Sequence, residues 1–232
     1  MTQQKLTIAE QAATHERDVM SQIPAPALEA FQAEKAAIAD RQLPAGIAAP
    51  GTPLPETELL DVHGAPTTLA ARRDGKPAVL VFYRGAWCPY CNMALRTYQA
   101  ELLPELTARG IELIAVNPQK PDGSLSAQEI NDLSYTVVSD PGNALARSLG
   151  VVMSQSENAR TLQAKLGLDV GATNADGTDD LPLPTTLVVD VAGVIRWIDV
   201  RPDYTTRAEV SDILDAVAEH LDRGAADAHA VS

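Results

Sequence analysis

The sequence has 232 residues, enough for one substantial α/β domain with additions or for two small domains. Its formal net charge of -13 at pH 7 argues against nucleic acid and anionic membrane surfaces as partners, because both require concentrated Lys and Arg. Two cysteines are too few for a disulfide-rich scaffold, and the N-terminus carries no apolar signal core, so a cytoplasmic location is expected.

The first part of the chain predicts a helical arm. From about Thr7 to Arg41 the sequence is rich in Ala, Glu and Gln, with apolar residues at helical spacing. Pro24 and Pro26 divide it into two helical pieces. A Pro- and Gly-rich connector follows at 46–55. We therefore expect an arm over residues 1–45, a main domain over 46–223 and a flexible tail over 224–232.

Within the main domain, short β-branched and apolar runs alternate with helical segments. The predicted strands are 58–62, 79–83, 111–116, 136–139, 185–190 and 194–198. The predicted helices are 68–71, 91–109 (interrupted by Pro104), 126–133, 143–149, 154–167 and 207–221. A polar, acidic loop is expected at 171–180. Strands separated by helices, followed by a hairpin and a last helix, predict a three-layer α/β/α fold.

The two cysteines form a Cys-Pro-Tyr-Cys motif, Cys88 to Cys91, directly after the strand predicted at 79–83. A thiol at a helix N-terminus faces unpaired backbone N–H groups and the positive end of the helix dipole, which lower its pKa. The pattern favours redox chemistry. A zinc site would need two further ligands, yet the four histidines are scattered singly. A structural disulfide would gain little stability from so small a loop.

Several further segments agree with one family in order along the chain. These segments are 82–85, 87–91, 114–119, 139–143, 183–186, Asp190 and 200–204. On these residues, the chain from about 46 to 221 resembles the peroxiredoxin-like branch of the alkyl hydroperoxide reductase and thiol-specific antioxidant family, within the thioredoxin superfamily. The resemblance implies a thioredoxin-like fold preceded by an N-terminal helical extension.

The resemblance also implies a thiol peroxidase that reduces hydrogen peroxide and organic hydroperoxides. A thiolate attacks the O–O bond, becomes a sulfenic acid and condenses with a second thiol to a disulfide. Thioredoxin or a similar dithiol would then reduce that disulfide. Neither a metal nor an organic cofactor is expected, because sulfur carries both electrons, and a homodimer is one possible assembly.

The sequence departs from the family pattern at its active loop. Arg84 stands in place of a proline, Cys88 in place of a threonine, and Cys91 at the peroxidatic position. Pro184 stands where the family has an arginine, as the cis-proline of thioredoxins does. The two criteria conflict: the alignment points to Cys91, whereas Cys88 lies first at the helix start and should be more exposed. On the helix-terminus argument we expect Cys88 to attack and Cys91 to resolve.

Four residues are candidates for substrate binding or activation: Arg84, Trp87, Pro184 and Thr185. Arg84 would stabilise a thiolate or hold a peroxide oxygen. Trp87 would shield the thiol and present a partner-binding face. If the Leu183–Pro184 bond is cis, the backbone beside it can lie against the sulfurs and pair with a partner strand.

Two other functions remain open from the sequence. A general thiol-disulfide oxidoreductase would use the same cysteine pair on protein disulfides. A redox sensor would oxidise slowly and change the arm or the 171–180 loop without catalytic turnover.

Overall fold

The computed structural model describes residues 5–22, 25–39, 41–165 and 167–222. Pro24, at the predicted break in the arm, and the tail predicted over 224–232 lie outside these residues. The arm consists of two helices, as predicted. The helices are α1 (Ile8–Gln22), α2 (Ala25–Ala39), α3 (Leu69–Arg73), α4 (Pro89–Thr97), α5 (Leu103–Ala108), α6 (Pro121–Ile130), α7 (Ala144–Ser148), α8 (Glu157–Lys165), α9 (Val170–Thr173) and α10 (Val210–Val217).

Seven strands form one mixed sheet in the order β2-β1-β5-β4-β3-β8-β9. The strands are β1 (Leu59–Asp61), β2 (Pro66–Thr67), β3 (Ala78–Phe82), β4 (Glu112–Asn117), β5 (Thr136–Ser139), β6 (Val152–Met153), β7 (Leu181–Pro182), β8 (Thr185–Val189) and β9 (Ile195–Val200). Strands β6 and β7 pair separately as a two-stranded sheet. β3 lies parallel to β4 and antiparallel to β8, so it is an interior strand of the large sheet.

The sheet separates two hydrophobic cores, because successive side chains of a strand point to opposite faces. In β3, Val79 and Val81 belong to one core and Leu80 and Phe82 to the other. The first core also contains both cysteines. This arrangement confirms the predicted three-layer α/β/α fold and places the Cys-Pro-Tyr-Cys motif directly after the interior strand β3.

The helix predicted over 91–109 is interrupted, as expected, but not by a simple kink. A π-helical turn, Tyr98–Leu102, separates α4 from α5, and the Leu103 N–H bonds the Tyr98 carbonyl. Pro104 lies in the first turn of α5, where its missing N–H costs no helical hydrogen bond. The longer turn therefore accommodates the proline without ending the helical path.

Other segments differ from the sequence prediction. α6 begins at Pro121 instead of 126 and ends at Ile130 instead of 133. The loop predicted at 171–180 contains most of the short helix α9. Strands β2, β6 and β7 have no counterpart in the prediction; each is only two residues long, too short to show an alternating pattern.

Candidate active site

The end of β3 and the beginning of α4 position both cysteines. Cys88 is the N-cap of α4 and Pro89 occupies the first turn, where its fixed backbone favours helix initiation. Cys91 lies one turn further on. Both residues are free thiols. Cys88 is 1% exposed and Cys91 0% exposed, so the expected greater exposure of Cys88 is not found.

Arg207, in the loop before α10, contacts the cysteine pair. Its Nη2 lies 2.8 Å from the Sγ of Cys91 and 4.0 Å from the Sγ of Cys88. Its Nη1 donates to the carbonyl oxygens of Tyr204 at 2.7 Å and Thr206 at 2.6 Å. The side chain is buried, and its guanidinium is fixed by its own loop with one edge directed at the sulfurs.

The two thiols differ in acidity because they share one proton. Burial raises the pKa of Cys88 well above its ordinary value, and its S–H donates to the sulfur of Cys91. Burial also raises the pKa of Cys91. That effect is outweighed by the hydrogen bond from Cys88, the charge of Arg207 and the backbone N–H of Arg84, which together hold the pKa well below its usual range. The pair therefore favours a thiolate on Cys91 and a thiol on Cys88.

Arg84 and Trp87 lie beside Cys88, as expected from the motif. The Arg84 guanidinium lies between two rings, 4.5 Å from the centroid of Tyr204 and 5.0 Å from that of Trp87. Among the described residues, its guanidinium donates one side-chain hydrogen bond, to Oε1 of Gln155, which is long at 3.4 Å. Arg84 is thus a buried cation held mainly by aromatic faces, which leaves donor capacity on its guanidinium.

The loop before Cys88 requires glycine at position 85. Gly85 has a φ of +153°, and a Cβ there would lie 2.6 Å from the Nε1 of Trp87 and 2.8 Å from the Oε1 of Gln119. That same Oε1 accepts the Ala86 N–H at 2.6 Å. Any larger residue at 85 would displace the loop that carries Cys88.

Pro184 and Thr185 lie close to the cysteines but not in the way the sequence suggested. The Leu183–Pro184 bond is trans, like every other peptide bond of the described residues. The backbone contact with the sulfurs that was expected for a cis bond at this position therefore does not apply. The Thr185 hydroxyl donates to the Leu183 carbonyl at 2.9 Å and is already engaged. Both residues line a space of about 10 Å³ with Cys91 and Arg207.

A much larger cavity, of about 350 Å³, opens beside Cys88. Its wall is formed by the arm, by α8, by segment 181–184 and by the active loop. Arg84 and Cys88 line it, whereas Cys91 does not. The residue that favours the thiolate and the residue that lines the cavity are therefore different cysteines.

Sequence reasoning missed Arg207 and the cavity. Arg207 is 116 residues from Cys91 along the chain and belongs to no motif that contains a cysteine. The sequence did contain one signal for Arg207. This chain has Pro184 where the family has an arginine, so an arginine from another segment was needed to take its place. Among the described residues, no group of three or more His, Cys, Asp or Glu side chains is placed to hold a metal ion. No described helix is long and apolar enough to cross a membrane.

A mixed sheet between helical layers, with a Cys-x-x-C pair at a helix N-terminus, defines a thiol protein of the thioredoxin-like class. Solved structures share this fold. Peroxidoxin BcpB from Mycobacterium tuberculosis matches with a TM-score of 0.56 and 17% identity, over 76% of this chain and 96% of its own. Reduced Prx3 from Vibrio vulnificus, solved in complex with hydrogen peroxide, matches with a TM-score of 0.60 and 19% identity. The match covers 74% of this chain and 99% of the Prx3 chain.

The sequence itself identifies the family. The AhpC/TSA family profile matches residues 50–198, more than half of the chain, and the protein belongs to this peroxiredoxin-like family. A Mycobacterium tuberculosis protein named as a peroxiredoxin is 25% identical over 114 residues, which cover 49% of this chain and 71% of its own. The predicted resemblance is confirmed.

Proposed function

We propose that this protein is a thiol peroxidase that reduces hydroperoxides through Cys88 and Cys91 and is recycled by thioredoxin or a similar dithiol. The observation that carries the proposal is the contact of 2.8 Å between the Arg207 guanidinium and the Sγ of Cys91. A buried cation at that distance stabilises a thiolate, the nucleophilic form of cysteine. Family membership supports peroxide as the electrophile.

In the first step, the Cys91 thiolate attacks the terminal oxygen of the hydroperoxide. The S–O bond forms as the O–O bond breaks, so sulfur loses two electrons and becomes a sulfenic acid. The leaving alkoxide takes the proton of Cys88, whose raised pKa keeps it protonated at neutral pH, and departs as an alcohol or as water. Arg207 and Arg84 offer N–H donors for the charge that develops on oxygen.

In the second step, the Cys88 thiolate formed in this way attacks the sulfur of the sulfenic acid. The S–S bond forms, and hydroxide leaves and is protonated to water. An external dithiol then attacks the disulfide and leaves as a disulfide itself, restoring both thiols. Because Cys88 lines the cavity and Cys91 does not, we assign the attack of the external thiol to the sulfur of Cys88.

This assignment reverses the roles favoured by the helix-terminus argument and follows the alignment. The two roles are assigned from the charge beside Cys91 and from the position of Cys88 in the cavity wall. In the same proposal, residues 46–223 form the peroxidase unit and residues 1–45 an arm attached to it.

Single cysteine variants and rapid kinetics test the function. The reduced protein is mixed with hydrogen peroxide or an organic hydroperoxide in a stopped-flow instrument, with tryptophan fluorescence as the signal and free cysteine as the reference. We expect reaction orders of magnitude faster than free cysteine thiolate. Cys88→Ser should form sulfenic acid, detected by a dimedone adduct, and Cys91→Ser should not. Equal trapping in the two variants would refute the division of roles.

A general thiol-disulfide oxidoreductase is the second candidate, because Cys88 caps α4 and lines an open cavity that a partner's thiol could enter. In that case every hydroperoxide would react no faster than with free cysteine, while the reduction of a model protein disulfide would be fast. Oxidation that changes the assembly of the protein without turnover would instead support a redox sensor.

A further inference from the structure

The cavity beside Cys88 has the size and composition of a small-molecule site. Its volume of about 350 Å³ falls within the range of roughly 300–1,000 Å³ typical of ligand pockets. Hydrogen peroxide needs only a small part of this space. Most of the wall is apolar, and its apolar side chains include Val19, Ala159, Leu162, Leu168, Leu181 and Leu183.

The inner end of the cavity is polar and lies at Cys88, the partner of the Cys91 thiolate. Arg84, 8% exposed, lines it with Cys88, and among the described residues its guanidinium makes one side-chain hydrogen bond, which is long. A molecule with one polar end and a bulky apolar group fits this polarity. Its polar end would lie against Arg84 and Cys88, and its apolar group would extend between α8 and the arm.

The arm supplies the outer wall, and two contacts help to hold it there. The Ser156 hydroxyl, before α8, donates to the buried Glu34 of α2 at 2.9 Å. His15 of α1 packs edge-on against Tyr90 of α4, with ring centroids 5.4 Å apart. Val19, Glu34 and Arg41, which line the cavity, all precede the residues matched by the family profile. The arm therefore adds to the family domain a wall that its profile does not contain.

We infer that the arm and α8 form a specificity pocket, which makes this protein selective for hydroperoxides that carry a bulky apolar group over hydrogen peroxide. The inference rests on the proposed peroxidase function and assigns its substrate class. Each apolar contact with the pocket adds to the stability of the bound state at roughly 25 cal/mol per Å² of apolar surface removed from water. Hydrogen peroxide gains none of this stabilisation.

A matched pair of variants in α8 tests the pocket. Ala159 lines the cavity, whereas Ala164, on the same helix, is exposed. We expect Ala159→Trp to lower the second-order rate constant with cumene hydroperoxide by about tenfold or more and to leave that with hydrogen peroxide unchanged. Ala164→Trp should change neither. The alcohol 2-phenylpropan-2-ol, which cannot oxidise a thiol, should compete with cumene hydroperoxide in the wild type and not in Ala159→Trp.

The outcomes separate this inference from the proposed function. If the wild type reacts with no hydroperoxide faster than free cysteine, the peroxidase function is wrong. If it reacts rapidly but cumene hydroperoxide has no advantage over hydrogen peroxide, or Ala159→Trp slows both equally, the specificity pocket is wrong. Circular dichroism checks that Ala159→Trp folds. If Ala159→Trp does not fold, Val19→Trp fills the same cavity from the arm. It must then lower the rate constant with cumene hydroperoxide and leave that with hydrogen peroxide unchanged.

Discussion

At the scale of single residues, reactivity depends on Arg207. Arg207→Met removes the charge but leaves the sulfurs buried, so the pKa of Cys91 should rise and its thiolate fraction at pH 7 should fall. We expect a loss of about tenfold in rate for each unit that the pKa rises above 7. Thiolate absorbance at 240 nm, followed against pH, gives the pKa directly.

Two further variants make the Arg207 result specific. Arg207→Lys keeps the charge and should recover part of the rate. Arg196→Met removes an arginine that pairs with Asp190 on the surface, and it should leave the pKa of Cys91 unchanged. A wild-type pKa in Arg207→Met would contradict the role of the guanidinium.

The shared proton of the cysteine pair predicts an unusual pH profile. Because the folded pKa of Cys91 is depressed, its thiolate is present above that pKa and is lost only when the pH falls through it. The rate of the peroxide reaction should therefore fall less than that of free cysteine as the pH falls from 9 to 7. The rate of free cysteine, with a pKa of about 8.5, falls over the same interval.

The Cys88 side chain can be tested separately as the hydrogen-bond donor. Cys88→Ala removes the donor to the Cys91 sulfur, whereas Cys88→Ser retains a hydroxyl in its place. The pKa of Cys91 should be higher in the alanine variant than in the serine variant. Equal 240 nm titration midpoints for the two variants would show that the hydrogen bond does not set the acidity.

At the scale of elements, Glu209 joins the arm to the domain. Its carboxylate accepts the N–H groups of Ile8 at 2.9 Å and Ala9 at 2.8 Å, at the N-terminus of α1. The same side chain caps α10 in a capping box with Asp212. A negative charge at a helix N-terminus is stabilising, and here one carboxylate serves two helices.

We expect Glu209→Ala to lower the free energy of unfolding by about 1–2 kcal/mol and to speed amide exchange at Ile8 and Ala9. Glu219→Ala, at an exposed position following α10, is the control and should leave both unchanged. Hydrogen exchange with mass spectrometry separates loosening of α1 from loosening of α10. Unaltered exchange in α1 would mean that other contacts hold the arm.

The elements also show what the sequence could predict. β5 was predicted with its observed bounds, because Thr136 to Ser139 is a β-branched run that stops at Asp-Pro-Gly. α6 begins earlier than predicted, at Pro121. A proline is well suited to the first turn of a helix, but the prediction followed the spacing of the apolar residues instead. The contact of Arg207 with Cys91 had no local signal, since it depends on how the loop before α10 packs against α4. The cavity likewise depends on the packing of four separate segments: the arm, the active loop, α8 and 181–184.

At the scale of the whole molecule, the buried Arg207 links the redox state to stability. In the reduced protein its charge faces the Cys91 thiolate, and disulfide formation removes that negative charge. An unpaired buried cation costs several kcal/mol, and a loop of four residues regains little by closure. The oxidised fold should therefore be less stable than the reduced fold by about 1–3 kcal/mol at pH 7.

Urea unfolding of the two redox forms, followed by circular dichroism, measures this difference. Arg207→Met is the control, because without the buried cation the gap between the forms should shrink. A less stable oxidised form also means a more oxidising disulfide, since about 1.4 kcal/mol corresponds to roughly 30 mV for two electrons. Such a disulfide is readily reduced by an external dithiol, as turnover requires. An oxidised protein as stable as the reduced one would show that Arg207 finds another partner when the thiolate is consumed.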